Sequence, residues 1–241
     1  MPEPIVLLHG FTQTGAAWQT VRDALEATGH EVLAPDLRGH GSASGVRPVT
    51  AAAVFSDLDA ILHGAVLAGY SMGGRIALAY AVSRPQRVRR LVLVGAGPGL
   101  RDPREREARR QADERLAQRI EAIGVEAFAR EWAALPLFAG QPPAVSAAAH
   151  AERLRQTPGG LAAALRGLGT GVLPSQWDAL AGLALPVTLV VGERDCKFRA
   201  IAARMARDLP RGRVVMAAGA GHAAHLEAPA LVAREIAPEG V

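Results

Sequence analysis

The chain has 241 residues, a formal net charge of +4 and a hydrophobic content of 49%, which suits one large domain with a sizeable core. Lys197 is the only lysine among 27 basic residues, and the arginines alternate with acidic residues, so no basic patch indicates nucleic-acid binding. The single cysteine, Cys196, excludes an internal disulfide and suits a reducing compartment. Because no signal-peptide pattern and no bilayer-length apolar run is present, we expect a cytoplasmic protein without membrane contact.

Strand and helix patterns alternate along the first part of the chain. Continuous apolar runs predict buried strands at residues 5–8, 31–34, 65–68 and 90–95. Helical spacing predicts helices at 16–28 and 51–62, and a further one from a turn at residue 71 to residue 82. This alternation predicts an α/β fold, with a mostly parallel sheet flanked by helices.

The alternation stops between about residues 98 and 175, where no good strand pattern occurs. Helical patterns occupy 101–123, 125–134, 144–154 and 160–168, separated by Gly and Pro. Strands at 186–191 and 213–216 and helices at 200–209 and 229–236 then resume the first pattern. We therefore predict a core in two parts, 1–97 and 176–241, with a helical cap insertion at 98–175.

Ser71 lies in a Gly69-x-Ser71-x-Gly73 turn between a predicted strand and a predicted helix. In this setting the motif is typical of a nucleophile elbow, in which a strained backbone raises the serine hydroxyl out of the sheet. The helix N-terminus then faces any anion that develops beside the hydroxyl. The alternative interpretation is a glycine-rich turn with an incidental serine.

Asp195 and His222 follow the two predicted strands of the second core part, at the sheet edge where ligands bind. With Ser71 they give the chain order Ser, Asp, His that this elbow requires. We expect His222 to remove the Ser71 proton, and Asp195 to orient the imidazole and stabilise the imidazolium. Taken singly, Asp195 could be an ordinary helix cap and His222 a loop histidine.

The loop after the first strand completes the predicted site. The backbone N–H groups of Phe11 and Met72 would form an oxyanion hole, and His9 would hold the loop. Asp36 and His40 could pass for a metal pair, but the glycines around them favour a turn, so we expect no metal. His225 and Glu227 fit structural roles better than catalytic ones.

Four stretches together carry a resemblance to a known family. They are Leu8-His9-Gly10-Phe11-Thr12, Gly69-Tyr70-Ser71-Met72-Gly73-Gly74-Arg75, Gly192-Glu193-Arg194-Asp195-Cys196-Lys197-Phe198 and Gly221-His222-Ala223-Ala224-His225-Leu226-Glu227. Over nearly its whole length the chain resembles the α/β-hydrolase superfamily. Within it, the chain is most similar to the 2-succinyl-6-hydroxy-2,4-cyclohexadiene-1-carboxylate synthase family of menaquinone biosynthesis.

The resemblance implies a lyase without a cofactor, which eliminates pyruvate from a ring that bears an enolpyruvyl ether, a succinyl chain and a carboxylate. Ser71 would act as the base, primed by His222, and the enolate oxygen would occupy the oxyanion hole. We expect a small multi-carboxylate substrate as the only partner, and a monomer or weak homo-oligomer.

Arg75 provides independent support for an anionic substrate, because it lies one helical turn after Ser71 in an otherwise apolar helix. A buried arginine without a partner is costly, and a substrate carboxylate is a natural partner. The alternative is a structural ion pair with Asp36 or Asp57.

The resemblance also implies that Tyr70, Arg109, Trp132 and Arg155 contact the substrate. The alignment through the cap leaves alternatives, with Arg106 in place of Arg109 and Arg153 in place of Arg155. Most cap arginines could instead form solvated i,i+4 pairs, such as Glu105 with Arg109.

Two other functions remain open from the sequence. A carboxylesterase or carbon–carbon bond hydrolase would use the same triad, but a neutral ester would not need Arg75 and the cap arginines. A non-catalytic receptor that binds a small ligand at the triad is the second alternative.

Overall fold

The computed structural model describes residues 3–238, and its centre is a six-stranded sheet. All neighbouring strands are parallel, and the strand order is β2-β1-β3-β4-β5-β6. The strands are β1 (Ile5–Leu8), β2 (Val32–Leu33), β3 (Ala65–Tyr70), β4 (Val88–Val94), β5 (Val187–Gly192) and β6 (Gly212–Ala217). The predicted parallel α/β sheet is therefore confirmed, although β2 is two residues long rather than four.

Helices cover both faces of this sheet. Those of the core are α1 (Gln19–Glu26), α2 (Ala51–Asp59), α3 (Met72–Ser83), α7 (Cys196–Asp208), α8 (Ala224–Glu227) and α9 (Pro229–Ile236). The prediction was wrong about the start of α7, which begins four residues earlier than expected. The cause is Asp195, whose side chain accepts a hydrogen bond from the Phe198 N–H and caps the helix.

The segment between β4 and β5 is helical, and no strand is found among its residues. It contains α4 (Pro103–Ala133), α5 (Pro143–Leu154) and α6 (Pro158–Leu168). The sequence predicts two helices that meet at Gly124, and this break is confirmed, because Gly124 has a non-helical φ of 75° and ψ of 171° and kinks α4 there. The division into a core and a cap insertion at residues 98 and 175 stays a prediction.

The core lies on both faces of the sheet. On one face Leu67, Ile76 and Leu189 belong to a buried cluster, and on the other Val66 and Trp18 belong to a second. A smaller third cluster joins α4 to α6. The loops that follow β1, β3, β5 and β6 therefore meet at the carboxyl edge of a rigid sheet, which positions the candidate site.

No helix among residues 3–238 combines the length and the apolar character that crossing a bilayer requires.

Candidate active site

Ser71 occupies a strained turn between β3 and α3. Its φ is 50° and its ψ is −105°, in the left-handed region that favours glycine. A Cβ on Gly69 would lie 2.5 Å from the Gly73 carbonyl oxygen, and a Cβ on Gly73 would lie 2.3 Å from the Leu8 carbonyl oxygen. The structure therefore has the close backbone approach and the strain that the sequence motif predicts.

His222 lies between Ser71 and Asp195. Its Nε2 is 3.2 Å from the Ser71 Oγ, and its Nδ1 is 2.6 Å from the Asp195 Oδ2. Because Nδ1–H donates to the carboxylate, the Nε2 lone pair faces the serine hydroxyl and can accept its proton. His222 and Asp195 are both buried, at 3% and 7% exposure.

The contacts of Asp195 are compatible with both of its predicted roles, as a helix cap and as the partner of His222. Its Oδ2 binds His222, while its Oδ1 accepts the Phe198 N–H at 3.2 Å as the cap of α7. The Phe198 ring then packs against the imidazole at 4.6 Å between ring centroids, and the Tyr70 ring lies 5.3 Å from it. These contacts fix the orientation of the imidazole.

A cavity of about 330 Å³ opens above the Ser71 hydroxyl. Phe11 and Met72, which carry the two candidate oxyanion-hole N–H groups, line it together with Ser71 and His222. Met72 is the first residue of α3, so its N–H has no partner within the helix. The side chains that form the walls are mostly apolar, among them Trp132 and Trp177.

Arg75 lines this cavity from α3. Its Nη1 donates to the Leu168 carbonyl oxygen at 3.2 Å, and no carboxylate of residues 3–238 lies within 4.0 Å of the guanidinium. The alternative ion pairs are wrong, because Asp57 pairs with Arg38 and Asp36 accepts backbone and hydroxyl hydrogen bonds. Burial, assisted by the charge of a neighbouring arginine, lowers the pKa of Arg75 to about 10.

Arg109 and Trp132 reach the same cavity from α4. Arg109 does not form the predicted pair with Glu105; its Nε instead donates to the Asp113 Oδ1 at 2.8 Å. Asp113 is buried, and its Oδ2 has no hydrogen-bond partner. Helix α4 thus brings a second guanidinium, held by a buried carboxylate, to the cavity that Arg75 lines.

Arg155 does not line the cavity, so the structure does not support the predicted substrate contact. Its side chain is 64% exposed and pairs with Glu152 at 3.2 Å. The alternative, Arg153, is buried and lines a small neighbouring pocket, and Tyr70 lines that pocket as well. The guanidinium of Arg153 lies 5.1 Å from the Phe138 ring centroid, and its Nε has no partner.

Arg106, the alternative to Arg109, lines neither this pocket nor the main cavity. Tyr70 is buried, and this burial raises the pKa of its hydroxyl. Tyr70 lines the small pocket and not the cavity above Ser71, so the structure does not support the predicted contact between Tyr70 and the substrate.

The remaining histidines of the site have structural partners. The His9 Nδ1 donates to the Gly10 carbonyl oxygen at 2.8 Å, and its Nε2 accepts the Leu37 N–H at 2.9 Å. Burial lowers the pKa of His9, which keeps the imidazole neutral. Among residues 3–238, no three His, Cys, Asp or Glu side chains are grouped as metal ligands.

Lys197 lines the cavity and was not predicted as a site residue. The signal was its position two residues after Asp195 in a motif already identified. The predicted helix begins only at residue 200, whereas α7 begins at Cys196, so Lys197 lies in its first turn and lines the cavity. Lys197 is thus the third cation that lines it, besides Arg75 and Arg109.

Comparison with known proteins supports the resemblance inferred from the motifs. Residues 5–235 match the alpha/beta hydrolase family. The chain is 38% identical to a putative 2-succinyl-6-hydroxy-2,4-cyclohexadiene-1-carboxylate synthase of Bacillus subtilis, over 95% of this chain and 87% of that protein. It superposes on MenH from S. aureus with a TM-score of 0.90 and 31% identity, over 97% of this chain and 91% of that one. A thermophilic esterase from Thermogutta terrifontis, solved with malate bound, gives a TM-score of 0.82 and 29% identity, over 98% and 88%.

Proposed function

The chain belongs to the alpha/beta hydrolase family, and on that basis we propose that it is a carbon–oxygen lyase that eliminates pyruvate. The substrate is 2-succinyl-5-enolpyruvyl-6-hydroxy-3-cyclohexene-1-carboxylate, and the product is 2-succinyl-6-hydroxy-2,4-cyclohexadiene-1-carboxylate, after which its relatives are named. A small multi-carboxylate molecule is therefore its partner.

Arg75 carries this proposal. A guanidinium in a mostly apolar cavity, one helical turn from Ser71 and with no carboxylate of residues 3–238 within 4.0 Å, is costly. The charge of Asp113 offsets its burial only in part, so a ligand carboxylate would stabilise it. Arg109 and Lys197 add positive charge around the same space. A substrate with three carboxylates matches this arrangement, whereas a neutral ester would leave the cations unused.

Ser71, His222 and Asp195 supply the base for the elimination. His222 Nε2 takes the Ser71 proton, and the Ser71 Oγ removes the ring proton beside the succinyl carbonyl. The electron pair of the C–H bond passes to the carbonyl oxygen, which the Phe11 and Met72 N–H groups stabilise. Its return forms the C2=C3 double bond of the ring. The existing C3=C4 double bond then shifts to C4=C5, and the C5–O bond to the enolpyruvyl group breaks. The departing oxygen takes a proton from the imidazolium, and the enol becomes pyruvate.

The direct test supplies this substrate and measures pyruvate release with a lactate dehydrogenase assay. We expect turnover by the wild-type protein and none above background by Ser71→Ala. Hydrolysis of p-nitrophenyl acetate is measured in parallel. Fast ester turnover without pyruvate release would contradict the lyase proposal.

The esterase neighbour supports a second candidate, hydrolysis of a small ester through a Ser71 acyl-enzyme. The distances between Ser71, His222 and Asp195 serve both reactions. Arg75 separates the two candidates, because its removal should leave hydrolysis of a neutral ester unchanged while it impairs binding of the multi-carboxylate ring acid.

A further inference from the structure

Among residues 3–238, two residues other than glycine have a positive φ, and each is adjacent in sequence to a residue of the candidate oxyanion hole. Ser71, with φ 50°, directly precedes Met72, and Thr12, with φ 69°, directly follows Phe11. Such strain persists only where the surroundings impose it, and it is concentrated at functional sites. The contacts that hold Thr12 therefore bear on the direction of the Phe11 N–H.

Residues 10–13 form a tight turn with Phe11 and Thr12 at its centre. The Gln13 N–H donates to the Gly10 carbonyl oxygen at 3.2 Å, and the Gly10 N–H donates to the Gln13 Oε1 at 3.1 Å. A turn with positive φ at its third residue normally has Gly or Asn there, and this one has Thr12. On the core side, His225 Nε2 lies 3.3 Å from the Gln13 side-chain nitrogen and orients that amide.

The other side of this turn is held by Glu152 of α5 and by Gln156, which lies two residues after the end of that helix. The Gln156 Nε2 donates to the Gln13 carbonyl oxygen at 3.3 Å, and the Gln156 Oε1 accepts the Gly41 N–H at 3.1 Å. The Glu152 Oε2 accepts the Thr14 N–H at 3.2 Å and also the Thr14 hydroxyl. Gln156 is 4% exposed, so these hydrogen bonds form away from solvent.

We propose that Glu152 and Gln156, the α5 brace, are positioning residues that keep the Phe11 N–H directed at the developing oxyanion. They touch no substrate and act through the strained turn at residues 10–13. This inference rests on the proposed oxyanion hole, and it makes the inserted helices part of the catalytic geometry as well as a cover over the cavity.

The test uses Gln156→Met, which keeps the side-chain length and removes its hydrogen bonds. Removal of a whole oxyanion-hole donor lowers kcat by about 10² to 10³, so a misdirected donor should lower kcat by roughly 10-fold or more. The KM should stay within about twofold, because the cations that bind the substrate are untouched. Leu154→Ala is the matched control, since Leu154 is an exposed residue that lies between Glu152 and Gln156. It should leave kcat and KM unchanged.

A second readout does not depend on the identity of the substrate. Diisopropyl fluorophosphate is uncharged, and its phosphoryl oxygen occupies the oxyanion hole while the Ser71 Oγ displaces fluoride. Gln156→Met should slow this modification by a factor similar to the loss in kcat, with the thermal midpoint within a few degrees of the wild type.

The outcomes separate the two proposals. A kcat and a modification rate within twofold of the wild type, or a raised KM with unchanged kcat, would overturn the α5 brace. Wild-type protein that reacts with the reagent but releases no pyruvate would overturn the lyase proposal alone, and the modification rates would still decide on the brace. If Gln156→Met does not fold, Glu152→Gln should show the same pattern with a smaller loss.

Discussion

Asp195 connects the candidate triad to the fold around it. One carboxylate oxygen caps the N-terminus of α7, and the other accepts a hydrogen bond from His222. The orientation of the imidazole therefore depends on the position of this helix. The sequence offered a helix cap and a triad member as competing interpretations of this residue, and the geometry is compatible with both. The chain order and strand-end placement of Ser71, Asp195 and His222 constrain the prediction of the triad, and in the structure His222 lies within hydrogen-bond distance of both other side chains. Their catalytic roles stay a prediction.

Ser71→Ala and His222→Ala test the roles that this geometry suggests. Each variant should lower kcat for pyruvate release by about 10³-fold or more, because Ser71→Ala removes the group that takes the ring proton and His222→Ala removes the base that activates Ser71. The double variant should be little worse than either single one, since the two groups act as a unit. A loss below about tenfold in properly folded protein would argue against the assignment.

Arg75→Met tests substrate charge at the same scale. We expect kcat/KM for the multi-carboxylate substrate to fall by about 10²-fold, as for loss of a charge-assisted hydrogen bond in a desolvated site. Turnover of p-nitrophenyl acetate should not change. Arg115→Met, which alters an exposed arginine of α4, is the control. Equal effects of the two substitutions on kcat/KM would remove the main support for an anionic substrate.

The sequence does not predict which of Arg153 and Arg155 is buried. They lie two positions apart, and sequence spacing alone could not decide which one faces the site. The packing of α5 decides, because it buries Arg153 against Phe138 and leaves Arg155 in solvent beside Glu152.

At the scale of elements, the elbow is the part of the structure that the sequence predicts best. Its geometry depends on neighbours within a few residues, so Gly69 and Gly73 indicate it directly. The break at Gly124 was predicted as well, because a glycine with a positive φ interrupts the helical pattern locally. The start of α7 was mispredicted, because its cap, Asp195, was assigned to a loop and the helix was expected to begin only at residue 200.

Gly73→Ala tests the elbow as an element. The added Cβ would lie 2.3 Å from the Leu8 carbonyl oxygen, so α3 must move away from β1. We expect the free energy of unfolding to fall by about 2 kcal/mol or more, measured by urea denaturation. Gly159→Ala, at an exposed site of α6 with no atom within 4 Å, should be neutral or slightly stabilising. A Gly73→Ala variant as stable as Gly159→Ala would contradict the close approach.

At the scale of the whole molecule, the parallel sheet brings four strand-end loops to one edge, and alternating sequence patterns were sufficient to predict this. The cavity was not predictable in the same way. Its walls combine α3, α4, α6 and α7, and its third cation, Lys197, depends on how these helices pack. Sequence periodicity specifies each helix but not the contacts between helices that are distant along the chain.

The same packing encloses several histidines, and this gives the molecule a predicted sensitivity to acid. Burial lowers the pKa of His40 and His225 to about 3, from an ordinary value of 6.5, and it also lowers the pKa of His9. Below pH 6.5 the unfolded chain therefore binds protons that the folded protein does not bind. The stabilisation is complete above pH 6.5 and is lost as the pH falls from 6.5 toward 3.

Urea denaturation at pH 7, 6, 5 and 4.5 measures this dependence. Below about pH 5.5, His40 and His225 together should lower the free energy of unfolding by about 2.7 kcal/mol per pH unit. His40→Phe should reduce the measured slope by about 1.4 kcal/mol per pH unit, because the proton that His40 takes up on unfolding is lost. His63→Gln, at an exposed histidine, should leave the slope unchanged. Equal slopes for the wild type and His40→Phe would mean that His40 is protonated in the folded protein, which its enclosed position beside His9 and Phe11 does not allow.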